Sequence, residues 1–391
     1  MRQSGAFSRS DSSSLPPLTS ASDTGRLKSL DGLRAVSILC VLIGHLSGTR
    51  NFFHLGYWRW VGDIAHLGVV VFFVISGFLI TTLLRRESAE TGHISPKLFY
   101  ARRAIRIVPA AFAYIAVLLL LSAIGWIQLR PRDVVHAITY TANYQWDRPW
   151  WTGHLWSLSV EEQFYLLWPF ILVACGWRKA PWVAAATIGL GPICRLSAHL
   201  FLTGTPYRDL EMFPMVADSL GAGCLLACRR EWLERRGWYR ALLRPLVAFG
   251  LFGAILVANR YMGYTVGNVF GGCFINLALA VLIHRAVITP GGTFTRILNW
   301  TPVARIGVLS YSLYIWQQLF LNRNSKAWIN AFPQNLTLAI LCALLSYTLL
   351  EKPLLALRTR LRESANTRRK HSDLGSLGLD PEPVTTTSLS A

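Results

Sequence analysis

The chain has 391 residues, is 52% hydrophobic and 15% charged, and has a mean hydropathy of +0.37 with 15 tryptophans. Soluble domains carry about 25% charged residues, so this composition lacks the polar surface that a water-soluble globule needs. The net charge of +19 would suggest a nucleic-acid partner if it lay on one soluble face, but the basic residues flank apolar segments, and no nucleic-acid partner is expected.

Residues 1–28 are Ser-rich with no apolar period and read as a disordered tail. No apolar stretch precedes residue 30, so a cleavable signal peptide is not expected and the first span acts as its own insertion signal. That span, LDGLRAVSILCVLIGHL (30–46), carries Arg34 and His45. Eleven residues at about 100° each bring both to one helix face, about 16 Å apart along the axis. Ionisable groups in hydrocarbon are costly and usually face a bundle interior or a wet cavity, so this helix is expected to line a polar site.

Next comes FFVISGFLIT (72–81), where Ser76-Gly77 predicts a kink or a close helix approach, with Ser76 a candidate cavity-lining residue. In RRAIRIVPA (102–110), Arg103 and Arg106 share a helix face. They read either as an anchor on anionic lipid or as a phosphate clamp, and spacing does not choose between these. The loop 129–155 is too short to bury a core of its own.

HLWSLSVEEQFYLLWPF (154–170) brings two carboxylates into an aromatic helix. Glu161 shares a face with Ser157 and Tyr165, Glu162 points about 100° away, and His154 stands at the rim. The bland alternative places both carboxylates at a helix start in interfacial water. Further along, Arg195 and Asp218 are expected to pair between neighbouring spans, and Asn259 and Asn276 are further polar residues in or near spans. From about residue 356 the chain turns basic and then Ser/Thr/Pro-rich, a second tail.

About ten apolar segments are long enough to span, or nearly so: about 31–47, 64–84, 107–128, 156–175, 181–202, 212–228, 245–259, 266–284, 306–322 and 336–351. With the N-terminus inside, roughly 28 Lys/Arg fall in cytoplasmic segments, about 9 outside and about 2 in spans, which is the positive-inside bias. The expected fold is therefore all-α, a polytopic integral membrane protein of about ten transmembrane helices with both termini cytoplasmic. Residues 29–355 form its single membrane domain. The seven cysteines form no CxxC or Cys/His cluster, so neither a metal nor a disulfide framework is expected.

These motifs, followed by SYSLYIWQQ (310–318) and EKPL (351–354), occur in an order that resembles the membrane-integral acyltransferase family 3 over about residues 29–355. That family comprises bacterial O-acyltransferases of surface polysaccharides, lipopolysaccharide O-antigen and related acceptors. The resemblance implies ten or eleven helices in the bacterial inner membrane. It carries the family's Arg/His pair onto Arg34 and His45, its basic RxxR motif onto Arg103 and Arg106, and its intramembrane carboxylate onto Glu161. Two departures stand out: Val70 where many members have a polar residue, and Trp316-Gln317 where many have Trp-His.

The implied chemistry moves an acyl group, most simply acetyl, from cytoplasmic acetyl-CoA as co-substrate to a hydroxyl of a carbohydrate or glycolipid, with no metal. A hydroxyl needs a base within reach, and His45 is the candidate, with Glu161 orienting it. Arg34, Arg103 and Arg106 would hold the donor's phosphates. Glu162, Gln163, His154, Ser76 and Trp316 are candidate substrate-binding residues. The rival expectation is a transporter or flippase of a glycan precursor without acyl chemistry.

Overall fold

The computed structural model describes residues 28–53, 63–205, 211–261, 267–289 and 292–356. Most of the two expected tails lies outside these residues. Helices run in the order α1 Lys28–Leu46, α2 Ile64–Thr91, α3 Pro96–Ala123, α4 Pro131–Ile138, α5 Trp150–Gly153, α6 Leu155–Phe201, α7 Phe213–Glu234, α8 Gly237–Leu242, α9 Pro245–Arg260, α10 Gly272–Ile288, α11 Thr293–Leu298, α12 Thr301–Phe320 and α13 Gln334–Ser346. No strand occurs among the described residues.

Every apolar segment expected to span coincides with one of these helices. Six helical stretches among the described residues are long and apolar enough to cross a membrane, including the 52-residue run Trp150–Phe201. That run covers two expected spans, because α6 is interrupted at Gly176 (φ 70°, ψ 168°). This backbone conformation is open to glycine at little cost, so the chain turns there between the two expected spans. α3 begins at Pro96, well before the expected boundary near 107. Its proline at the first position is favourable there, and the early start puts Arg102, Arg103 and Arg106 on the helix itself. Large apolar side chains such as Leu120, Trp182, Leu246, Phe249 and Leu349 remain exposed on the outer surface. In water that would be unfavourable; against lipid it is the required finish for helices whose backbone groups are satisfied internally. The protein is an all-α, multi-pass membrane protein.

The interior is held by small residues that bring backbones together. A Cβ at Gly77 would lie 2.1 Å from the Leu220 carbonyl oxygen, and one at Gly223 would lie 2.1 Å from that of Val74. α2 and α7 therefore cross at backbone contact, as small-residue interfaces in membranes allow. Ser76-Gly77 is a close approach and not a break, since α2 runs unbroken through it. The variant Gly77→Val is expected to lower stability by about 3 kcal/mol, the upper range for overpacking. Thermal unfolding in detergent reads this, with Gly189→Ala, which meets open space, as the unaffected control. α1 packs between α2 and α12 and joins both halves of the core: Ile38, Val41 and Leu42 belong to one buried cluster, Leu30 and Leu33 to the other. The expected intramembrane pair also forms, Arg195 Nη2 to Asp218 Oδ2 at 2.8 Å.

The segment between α3 and α5 closes the His45 end of the bundle with an ionic lattice. Arg130 contacts Asp133 at 2.7 Å and Asp147 at 2.5 Å, Arg132 also pairs with Asp147, and Gln145 donates to Asp133 at 2.5 Å. Burial pushes the Asp133 carboxyl up, but hydrogen bonds from Arg130 and Gln145 outweigh it and hold it below the usual carboxylate range. Asp147 is held low in the same way by Arg130 and Arg132. A depressed folded value stabilises the cap fully above the ordinary carboxylate pKa of about 4, and that contribution is lost as pH falls through the lower folded value. The unfolding midpoint should therefore drop on acidification below about pH 4, and Asp133→Asn should flatten that dependence.

Candidate active site

His45 sits in the last turn of α1 and lines a cavity of about 410 Å³, shared with His154, Trp150, Trp156, Tyr314 and Gln318. Its Nδ1 lies 2.8 Å from Gln317 Oε1. Gln317 Nε2 donates to Gln318 Oε1 at 3.1 Å, which fixes the amide with its oxygen toward the histidine. The oxygen can only accept, so Nδ1 carries a proton, and in the neutral ring Nε2 keeps its lone pair. Gln318 is fixed in turn: its Nε2 donates to the Trp150 carbonyl at 2.7 Å, and Trp150 Nε1 donates back to the Gln318 carbonyl at 2.8 Å. The Trp150 ring meets His45 edge-on at 5.7 Å. The imidazole is thus aimed by hydrogen bonds rather than by packing alone.

The expectation that Glu161 orients His45 is corrected: the partner is Gln317. The reason is depth. Glu161 lies seven residues beyond His154 on α6, about 10 Å farther along the axis. There it accepts hydrogen bonds from Ser76 and Tyr165. Ser76 is accordingly a partner of Glu161 and does not line the His45 cavity. The sequence carried one signal for Gln317, its departure from the Trp-His pattern, since glutamine can replace histidine as a neutral hydrogen-bonding neighbour.

At the other end of α1 the arginines converge. The charges of Arg106 and Arg103 both act on Arg34, whose contact with Asp31 is long, 3.5 Å. Arg103 lies over the Tyr165 ring at 5.2 Å and the Phe99 ring at 5.7 Å, turned toward the bundle. Arg106 feels Glu351, which accepts from Ser312. Arg102 points elsewhere, to Glu87 at 2.5 Å. Arg103 and Arg106 therefore face the same interior as Arg34 instead of radiating into lipid.

The remaining candidates divide. His154 lies in the cavity wall. Glu162 Oε1 and the Tyr140 hydroxyl are both buried without hydrogen-bond partners among the described residues and act on one another electrostatically. Gln163 is occupied by the closing segment, donating to the Tyr140 carbonyl at 2.8 Å and to Asn143 Oδ1 at 2.9 Å. Trp316 packs edge-on against Tyr114 at 5.6 Å, outside the cavity wall. No group of three His, Cys, Asp or Glu side chains among the described residues is placed to hold a metal ion.

Comparison with known proteins gives this arrangement a context. The chain is 29% identical over 362 residues to the O-acetyltransferase OatA of Staphylococcus aureus, covering 84% of this chain and 57% of that protein. It is also 29% identical over 317 residues to the peptidoglycan O-acetyltransferase OatA of Listeria monocytogenes, covering 74% of this chain and 48% of that one. The chain thus spans about half the length of the curated relatives it matches. No solved structure matches it significantly. The profile of the acyltransferase domain family matches residues 27–350, the membrane body that holds both His45 and the arginines, and the chain belongs to that family.

Proposed function

We propose that the protein is a membrane-bound O-acyltransferase that moves an acetyl group from acetyl-CoA to a hydroxyl of a cell-wall glycan in a bacterial plasma membrane. The observation that carries this reading is the placement on α1: a lone-pair nitrogen of His45 in a polar cavity at one end, and three arginines gathered at the other. The positive-inside bias puts the arginine end in the cytoplasm, where acyl-CoA is made, and opens the cavity to the outside. Guanidinium forks suit phosphate oxygens, so Arg34, Arg103 and Arg106 receive the donor's phosphates. On this reading the pantetheine arm has to span the bundle from the arginines toward His45. His45 Nε2 takes the proton of the acceptor hydroxyl in the cavity, whose walls include His154, with Gln317 holding the ring. Glu161 and Ser76 position Tyr165 beneath Arg103.

The likeness to the Listeria monocytogenes peptidoglycan O-acetyltransferase favours peptidoglycan over lipopolysaccharide O-antigen as the acceptor. The transporter reading accounts for buried polar groups but not for an imidazole fixed in one tautomer beside a cavity. Membranes supplied with labelled acetyl-CoA separate the two: label in glycan is expected, while glycan movement with no incorporation of label would favour the transporter.

A further inference from the structure

His154 immediately precedes α6, is 3% exposed, and faces the cavity that holds His45. Tyr114 meets its ring edge-on at 5.3 Å and Tyr314 flanks it at 5.4 Å. The backbone beside it is fixed too: the Tyr314 hydroxyl donates to the His154 carbonyl at 2.9 Å, and shares a 2.5 Å hydrogen bond with Ser157. Yet neither ring nitrogen has a hydrogen-bond partner among the described residues. The Ile315 backbone lies near the ring but outside hydrogen-bond geometry.

A buried polar group left without a partner is costly, and a phenylalanine would fill the same aromatic box without that penalty. Both ring nitrogens are closed off from water, and a firmly held ring whose polar edge stays unpaired in the wall of a cavity is suited to a partner that arrives with substrate. In either tautomer an imidazole carries one N–H donor. His45 is close enough for the two rings to interact electrostatically.

We propose that the His154 N–H donates to the acyl carbonyl oxygen and stabilises the oxyanion that forms there. This rests on the acyl-transfer reading above. The acceptor oxygen attacks the thioester carbonyl carbon and its proton passes to His45 Nε2. The carbonyl electron pair moves onto oxygen, which accepts the His154 hydrogen bond. Collapse re-forms the C=O bond and expels the thiolate, which takes the proton back from His45. One C–O bond forms, one C–S bond breaks, and His154 keeps its own proton throughout. Donors aimed at a developing oxyanion in a water-poor site are worth far more than the same donors in water.

The test uses membrane vesicles carrying the full chain and host glycan, supplied with [14C]acetyl-CoA, and reads label in the glycan. His154→Phe keeps the ring shape without a donor and should lower kcat by about 10²–10³, with KM for acetyl-CoA within about twofold. His154→Gln restores an N–H near the same point and should recover at least about tenfold over the phenylalanine variant, as a donor role requires. Phenylalanine activity within about threefold of the parent, a change confined to KM, or no recovery by glutamine would overturn the proposal. If His154→Phe fails to insert, His154→Gln against His154→Leu makes the same comparison. Parent vesicles that label glycan no better than vesicles lacking the protein would instead refute the acyl-transfer reading itself.

Discussion

His45→Ala is expected to reduce acyl transfer by about 10²–10⁴, the range for loss of a general base, while leaving membrane insertion and the unfolding midpoint near those of the parent. The separation is possible because the ring makes one side-chain hydrogen bond, to Gln317, and otherwise faces a cavity and the Trp150 edge. Little packing is lost with it. Gln317→Leu should show a smaller fall, about tenfold, because the base survives but its ring is free to take the other tautomer. Transfer rates in membranes, set beside detergent-extracted yield, check both. Parent-level activity in His45→Ala would remove the assignment of the base.

The double variant Arg103→Ala with Arg106→Ala is expected to raise KM for acetyl-CoA by about 100-fold with a much smaller change in kcat. Charge-assisted hydrogen bonds contribute about 1.5–3 kcal/mol each, so two lost phosphate contacts reach that size even after partial replacement by Arg34 and Arg102. A lipid anchor behaves differently: its loss lowers expression or insertion and leaves KM alone. The inward turn of Arg103 over Tyr165 favours the clamp. Titrating acetyl-CoA against transfer rate at matched protein level distinguishes the two.

The sequence was most legible where a physical rule admits few exceptions. Long apolar runs in a chain with few charges must be helices, and Arg34 and His45 had to share a face because eleven residues make three turns. The pairing of Arg195 with Asp218 followed from the cost of leaving either alone in hydrocarbon. What could not be read was tertiary. Which residue orients His45 depends on how α12 lies against α1, and Gln317 reaches it across 272 positions of sequence. Depth was likewise hidden: the helical register gave Glu161 a face but not a level, and only the start of α6 at Leu155 shows that His154, and not Glu161, stands beside His45. Gln163 is a candidate substrate-binding residue by sequence, whereas its hydrogen bonds go to Tyr140 and Asn143 of the closing segment.

Sealed proteoliposomes with [14C]acetyl-CoA on the arginine side and glycan acceptor confined to the cavity side put the separation of donor and acceptor to the most direct trial. Label should appear in the glycan across the bilayer with the parent chain and not with His45→Ala. Label that appears only when donor and acceptor are mixed on one face would contradict transfer between a basic inner end and an outer histidine.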